Sequence, residues 1–444
     1  MKHVHFVLFA LFFLVGIVSC GDRNRNEHTL VSGLGTAGPI VDMPNSATVK
    51  VYFENTLGMD GYINGNTDFK KVFRELLSAL DNVKNVDLEM EFYLINDELI
   101  QTDFGVEPVK WSEELNPKKT VGVGNKNSSD FEEVFDRVIE NQFENEQVIS
   151  ILMADFIHSP KEAGDTPANL NRLKAYAKNA FLGSGIGEGK IDTGIYRFTS
   201  NFNGIYYDAN NNGIEGIDSR PYYYFVMAPD NLMDLFTAGI APKLISDTSF
   251  ENKAFFVDRN FNKISHMVLS SGGKLRMNRR NKSMEILDYS NKGNLEFILM
   301  LNMEHLPVSG NYLLNHDNYR LHNPEFEIED VGLVNGGDIE FKTLGKKSID
   351  SLSLVEIGSQ KFTHAIIFSL KGLLSADFGV SLKQTVPGWV HKVSSTDDQE
   401  IQADSLERTK TLGLGSFING ISEAYKEENG NDEYFSITIP IRIK

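Results

Sequence analysis

The chain has little cysteine and little positive charge. Among its 444 residues Cys20 is the one cysteine, which excludes an intrachain disulfide and a cysteine-based zinc cluster. Its 43 lysine and arginine residues stand against 61 aspartate and glutamate residues, a formal net charge of −18. Because nucleic-acid binding needs clustered positive charge, this balance argues against a nucleic-acid partner. Walker A, HExxH and GxSxG motifs are also missing, so the sequence carries no catalytic signature of those kinds.

Long apolar runs are confined to the first twenty residues. Residues 6–18 (FVLFALFFLVGIV) are too few to span about 30 Å of hydrocarbon and are typical of a secretory signal. Ile17-Val18-Ser19-Cys20 follows and resembles the lipobox of bacterial lipoproteins. The resemblance implies removal of residues 1–19 and attachment of acyl chains such as palmitate at Cys20. An ordinary signal peptide with an incidental thiol is the alternative.

The lipobox also predicts where the protein is located. A lipid at Cys20 implies a bacterial cell-envelope protein anchored to a membrane, most simply the outer membrane or the cell surface. Residues 20–47 are polar and glycine-containing without apolar periodicity, and are predicted to form a flexible tether. No later segment approaches 18 consecutive apolar residues, so no transmembrane helix is predicted.

Residues 48–245 alternate strand-like and helix-like patterns. Residues 49–53 and 148–154 are runs of strand length, residues 87–95 alternate as a strand does, and amphipathic stripes at helical spacing separate them. This alternation predicts an α/β domain with a mostly parallel sheet. Ligands of such sheets bind at the carboxyl ends of the strands, where Glu54 and Asp155 directly follow two of the predicted strands.

Three segments of this domain resemble the von Willebrand factor A family. ENTLGMDGY (Glu54–Tyr62) is similar to its Asp-x-Ser-x-Ser loop, SSDFEEVF (Ser128–Phe135) to its Thr-Asp helix start, and ILMADF (Ile151–Phe156) to its later strand that ends in Asp. The resemblance implies a von Willebrand factor A-like or Rossmann-like fold over residues 48–245. It also implies a metal-ion-dependent adhesion site, in which an acidic group of the partner completes the metal shell.

Carried over by position, the implied metal site is degenerate. Its residues would be Glu54, Thr56, Gly58, Ser129 and Asp155. Glu54 is one methylene longer than the expected Asp and Gly58 has no side-chain ligand, so Mg²⁺ or another divalent cation would need water or Asp60 to complete its shell. The alternative is the same fold without a metal, with Ser129 as a plain helix cap.

Tyrosine-rich sequence surrounds residues 206–224 and offers further binding candidates. Tyr207 and Tyr222 could anchor a protein or glycan partner if they are exposed, and packing in the core is the alternative. DANNNG (Asp208–Gly213) matches the first half of an EF-hand loop, but Ser219 stands where that loop requires Glu. Turn chemistry therefore favours a hairpin loop here.

Residues 246–444 are predicted to form a mainly β domain. Seven short strand patterns separated by turn residues are typical of an antiparallel sandwich or barrel. One helix is predicted near residues 412–426. The closing segment FSITIPIRIK reads as one strand, and Pro440 within it predicts an edge position.

These patterns together predict a function in binding. The expected protein is lipid-anchored and non-catalytic, and it binds another protein or an envelope polymer through the adhesion-type α/β domain. Two alternatives remain open. One is an envelope glycan hydrolase, which needs only paired carboxylates with one raised pKa. The other is a scaffold subunit of an envelope complex, which predicts a large exposed apolar patch.

Overall fold

The computed structural model describes residues 44–443 apart from several internal stretches. The stretches outside the description are residues 97, 103–107, 127–130, 144–146, 158–165, 184–190, 209–211, 260, 262–263, 273–274, 279–282, 287–294, 350–359, 372–376, 399–400 and 403. The predicted signal, the lipidation site at Cys20 and Ser129 therefore lie outside the described residues.

The described strands and helices alternate at first and are then mainly strands. The strands are β1 (Ser46–Glu54), β2 (Asp87–Ile95), β3 (Leu99–Gln101), β4 (Val148–Ala154), β5 (Ile191–Asn201), β6 (Tyr206–Tyr207), β7 (Gly213–Ile214), β8 (Ser219–Pro229), β9 (Phe250–Phe256), β10 (His266–Gly272), β11 (Leu275–Asn278), β12 (Ser283–Ile286), β13 (Glu296–Leu301), β14 (Tyr319–Leu321), β15 (Phe326–Asn335), β16 (Asp338–Phe341), β17 (Gly345–Ser348), β18 (His364–Leu370), β19 (Phe378–Lys383), β20 (Ser394–Ser395), β21 (Thr411–Leu412), β22 (Glu433–Ile439) and β23 (Ile441–Ile443). The α-helices are α1 (Asp60–Ile63), α2 (Asp68–Asp81), α3 (Pro108–Glu114), α4 (Pro117–Thr120), α5 (Phe131–Phe143), α6 (Thr166–Gly183), α7 (Asp230–Leu235), α8 (Ala241–Ile245), α9 (Gly310–Leu313), α10 (Gly388–Val393) and α11 (Leu414–Asn429). A π-helical turn (Phe236–Ile240) joins α7 to α8, and two 3-10 turns occupy His316–Asn318 and Glu407–Thr409.

β1 and α2 show how the apolar pattern produces the first layer. β1 is buried on both sides, with Val51 and Phe53 in one core and Tyr52 in the other. α2 begins after Thr67, whose hydroxyl accepts a hydrogen bond from the amide of Lys70 at 3.3 Å. Its helical stripe packs against the sheet, as the spacing predicted: Phe69, Val72, Phe73, Leu76, Leu77 and Leu80.

The central sheet is mixed. Its seven described strands have the order β3-β2-β1-β4-β8-β5-β9. β1 is parallel to both β2 and β4, and Phe53 lies opposite Met153. β8 is antiparallel to β4 and β5, and the edge strands β3 and β9 are antiparallel to their neighbours. Four strands therefore run in one direction, and β3, β8 and β9 run in the other.

The helices divide between the two faces of this sheet. α2 connects β1 to β2 and contributes to the core on one face, whereas α5, α6 and α11 contribute to the core on the other. The chain thus leaves β1 towards one face and β4 towards the opposite face. The topological switch point, where sheets of this kind form a crevice, lies between the carboxyl ends of β1 and β4.

Antiparallel sheets dominate the second half of the chain. One has the order β10-β13-β18-β15-β16-β17, and another has the order β14-β19-β22. Their facing side chains share one core, in which the rings of Phe297 and Phe378 lie 5.0 Å apart. The coarse prediction of an α/β amino-terminal region followed by a mainly β region is therefore confirmed.

The last strand pattern is divided at Pro440. β22 pairs with β19 at the edge of one sheet, whereas β23 pairs with β12 in another. The carbonyl oxygen of Pro440 accepts a hydrogen bond from the amide of Met284 at 2.8 Å. Proline has no N–H to donate, so the ladder breaks there, and the prediction of a single strand over this segment is wrong.

Two elements from beyond residue 245 complete the central sheet. β9 forms one edge, and α11 packs against α6 on one face. A Cβ on Gly420 would lie 2.3 Å from the carbonyl oxygen of Lys174, so glycine permits this close approach of the two helices. The described residues belong to one compact unit. The predicted division between residues 245 and 246 stays a prediction, and the central sheet draws on both sides of it.

Candidate functional site

The loop that follows β1 is held by the segment after α4. The side-chain amide of Asn55 donates hydrogen bonds to the carbonyl oxygens of Thr120 at 3.3 Å and Val123 at 2.8 Å. The Leu57 amide donates to the carbonyl oxygen of Lys126 at 3.1 Å. These bonds hold the backbone directly after the last residue of β1, so the loop has a fixed position beside the switch point.

Three of the residues singled out in the sequence meet at this point. A Cβ on Gly58 would lie 3.2 Å from Asp155 Oδ2 and 3.7 Å from Thr56 Oγ1. Because Gly58 has no side chain, the two oxygens approach its backbone closely between the ends of β1 and β4. We call the site formed by Thr56, Gly58 and Asp155 the switch-point crevice.

Asp155 is a buried acid with a fixed orientation. Burial raises the pKa of its carboxyl group, while the Ile157 amide, which donates to Oδ1 at 3.1 Å, and the charge of Arg220 oppose that rise. Phe156 follows with φ of 58°, a left-handed conformation that costs a non-glycine residue about 1–3 kcal/mol. Its ring packs at 5.5 Å from that of Tyr223, which holds the turn in place.

Asp60 is already engaged by a cation. Its carboxylate forms an ion pair with Lys126, whose ammonium group also donates to Thr120 Oγ1 at 2.9 Å. Burial raises the pKa of Asp60, and Lys126 opposes that rise. Asp60 was a candidate to complete a metal shell, and in the structure its charge is balanced by lysine instead.

The other predicted site residues are distributed differently. Glu54 ends β1 and is buried, and Ser129 lies outside the described residues. Tyr207 is half-buried on β6. Tyr222 is fully buried with its ring 4.9 Å from that of Phe69, so it packs in the core and offers no surface to a partner.

The asparagine-rich segment forms a hairpin. β6 and β7 pair antiparallel, with Tyr207 opposite Gly213. Asp208 accepts hydrogen bonds from the amide of Asn212 at 2.7 Å and from its side chain at 3.0 Å. These are the local bonds of a tight turn, as the turn chemistry predicted.

The sequence did not single out Arg220 or Asp398. Arg220 lies near the start of β8, with its guanidinium carbon 4.6 Å from the centroid of the Tyr206 ring. The hydroxyl of Tyr206 donates to Asp398 at 2.8 Å. Asp398 lies in the connection between β20 and β21 and is 5% exposed. A charged residue beside the apolar run PYYYF was a visible signal in the sequence. Arg408, whose carbonyl oxygen accepts a hydrogen bond from Arg220, lies 188 positions away.

The crevice fits a divalent cation poorly. Thr56 and Asp155 supply one oxygen each around Gly58, and Thr56 Oγ1 also accepts the amide of Met59 at 3.3 Å. Within the described part of the chain, no three His, Cys, Asp or Glu side chains converge as a metal-holding group. The positive charge of Arg220 near Asp155 further opposes a second cation.

Comparisons with known proteins found no match: no family model, curated protein or solved structure matches this chain. In the part of the chain that the structure describes, none of the helices has the length and apolar character needed to cross a membrane. The likeness to adhesion-type domains therefore rests on the three sequence segments alone.

Proposed function

We propose that this protein is lipid-anchored in the bacterial cell envelope and binds a protein or an envelope polymer at the switch-point crevice, without covalent chemistry. The lipobox at Cys20 supports the anchor. The observation that carries the binding role is the meeting of Thr56, Gly58 and Asp155 between β1 and β4. In sheets of this architecture, the switch point is where ligands bind.

The construction of the crevice supports a binding role over a purely architectural one. A buried carboxyl such as Asp155 is costly unless something else stabilises it, and a left-handed Phe156 adds further cost. Groups that destabilise the fold cluster where a protein needs them for another purpose. Adhesion through a resident metal ion is the weaker version of the proposal, because the donor set is incomplete.

Site-specific photocrosslinking in intact bacteria tests the proposal. A photoreactive residue at Val121, which is 68% exposed beside the loop that holds Asn55, should yield a crosslinked partner. The same residue at Leu344, which is 59% exposed in the turn between β16 and β17, is the matched control and should yield none. Asp155→Asn should remove the Val121 adduct, since it changes the charge of the crevice and preserves its shape.

Two outcomes would contradict this assignment. One is an equal yield of adducts from Val121 and Leu344, and the other is a Val121 adduct that Asp155→Asn leaves intact. Cys20→Ser provides the control for the anchor. The substitution should move the protein from the membrane fraction to the soluble fraction. If the partner is held at the same membrane, the yield of the Val121 adduct should also fall.

A further inference from the structure

One edge of a buried arginine has no partner. Arg220 is 1% exposed, and its Nη1 donates to the carbonyl oxygen of Arg408 at 2.8 Å. Its Nε and Nη2 atoms are buried without a hydrogen-bond acceptor, judged over all residues that the structure describes. These two N–H groups form the edge of the guanidinium that binds a carboxylate through two parallel hydrogen bonds.

A neighbouring arginine shows how the protein satisfies such a charge elsewhere. Arg197, on β5 at the same end of the sheet, is 2% exposed. It forms an ion pair with Glu251, and its Nη2 donates to the carbonyl oxygen of Thr409 at 2.9 Å. Arg220 has a carbonyl contact of the same kind but no carboxylate. Arg197 Nε also lacks a hydrogen-bond partner among the described residues, so Arg220 differs by its unpartnered Nη2 and its missing carboxylate. A buried cation without an anionic partner is costly by several kcal/mol, so Arg220 is poised for an acceptor from outside the chain.

Asp155 is near Arg220 without pairing with it. The charge of Arg220 lowers the pKa of the Asp155 carboxyl, against the larger effect of burial, which raises it. No ion pair within 4.0 Å joins the two side chains, both of which the structure describes. Burial outweighs this opposition, so the pKa of Asp155 lies above its ordinary value.

We propose that Arg220 is the anchor of a carboxylate-binding subsite, which takes a ligand carboxylate on its Nε–Nη2 edge from the switch-point crevice. The proposal deepens the binding function proposed above and rests on it. Tyr206, held by its hydrogen bond to Asp398, supports the guanidinium from one face. The carboxylate can belong to a small molecule or to an acidic side chain of a protein partner.

Thermal unfolding in the presence of defined carboxylates tests this proposal. The probes are sodium acetate and the peptide Gly-Glu-Gly with an acetylated amino terminus and an amidated carboxyl terminus, each compared with sodium chloride at the same ionic strength. Gly-Gln-Gly with the same blocked termini is the uncharged control. A ligand that binds only the folded state raises Tm with a saturable dependence on its concentration. We expect such a rise for at least one carboxylate probe and none for Gly-Gln-Gly.

Two lysine substitutions separate a specific site from general charge effects. Arg220→Lys retains the charge and removes the two-pronged edge, so it should weaken the carboxylate effect at least tenfold. Arg197→Lys is the matched control, because Arg197 is equally buried and already paired, and it should leave the effect unchanged. No saturable effect in the wild type, or an equal effect in both variants, would overturn the proposal.

A crystal structure grown in acetate tests the same proposal if Arg220→Lys does not fold. A carboxylate on the Nε–Nη2 edge would support the subsite, whereas ordered water there and no carboxylate would overturn it. If Gly-Glu-Gly binds more tightly than acetate, the ligand carboxylate belongs to an acidic side chain of a protein partner. If only acetate binds, the carboxylate belongs to a small molecule. If no adduct forms at Val121 while carboxylates still bind, the partner function is refuted and the subsite is retained. If the Val121 adduct forms but no carboxylate binds, only the subsite is refuted.

Discussion

The two ends of the central sheet differ in how their buried charges are paired. At the end where β5 begins, Asp192 is fully buried and lies 2.8 Å from Arg259, which also forms two bonds to Asp234 at 2.6 and 2.9 Å. At the other end, Asp155 and Arg220 are also buried, but the arginine lacks a carboxylate.

This difference separates a structural charge cluster from a binding site. Asp192 also accepts the amide of Asp258 at 3.2 Å, so the cluster joins β5 to the connection that follows β9. Each charge of the cluster lies within 4.0 Å of an opposite charge, although Asp192 Oδ2 and Arg259 Nε make no hydrogen bond among the described residues. In the described part of the chain, Arg220 has no such opposite charge within that distance. Burial alone is thus a poor guide to function, and the pairing of each buried group is the better one.

The largest expected effect is at the paired end. Arg259→Gln leaves Asp192 buried without its cation, which typically lowers the free energy of unfolding by about 3–5 kcal/mol. Urea unfolding at pH 8 measures this loss. Arg320→Gln is the control, because Arg320 binds Asp432 with a similar two-pronged contact on an exposed side chain and should cost about 0–1 kcal/mol. Similar losses in the two variants would mean that burial of the pair does not matter.

A smaller effect is expected in the pH dependence of stability. Burial raises the pKa of Asp192 to about 7, with Arg259 opposing the rise. Between about pH 4 and pH 7 the folded protein therefore holds a proton that the unfolded chain releases, so stability falls as pH rises, by at most about 1.4 kcal/mol per unit.

Asp192→Asn should flatten this slope, since asparagine has no proton to lose and can still accept the Asp258 amide. Thermal unfolding from pH 4 to pH 8 provides the measurement. Some slope should persist because burial raises the pKa of Asp155 in the same direction. An unchanged slope in the variant would show that Asp192 does not titrate in this range.

The smallest effect is expected at the unpaired end. Arg220→Met removes a buried charge that has no anionic partner, and it loses one hydrogen bond to Arg408 and the contact with Tyr206. These terms oppose each other, so the free energy of unfolding without ligand should change by no more than about 1 kcal/mol. A loss as large as that of Arg259→Gln, measured in the same urea series, would show that Arg220 is structural and would abolish the contrast between the two ends.

Local patterns predicted much of the fold. The stripe of α2, the strands β18 and β19 and the helix α11 follow from apolar periodicity, which acts between residues close in the chain. The placement of Glu54 and Asp155 at the carboxyl ends of two strands followed from the strand–helix alternation. The antiparallel insertion of β8 did not, because an apolar run buried on both faces has no signal for its direction.

The amino-acid sequence by itself determined the alternation of elements, the acids after β1 and β4 and the expectation of a lipid anchor, since each depends on residues within one short segment. Only the tertiary structure decided which charges are paired. Lys126 reaches Asp60 across 66 positions, and Arg220 reaches the main chain of Arg408 across 188. The pairing of a buried charge depends on groups brought together by folding, so the same side chain type becomes a structural tie at Arg259 and an unpaired hydrogen-bond donor at Arg220.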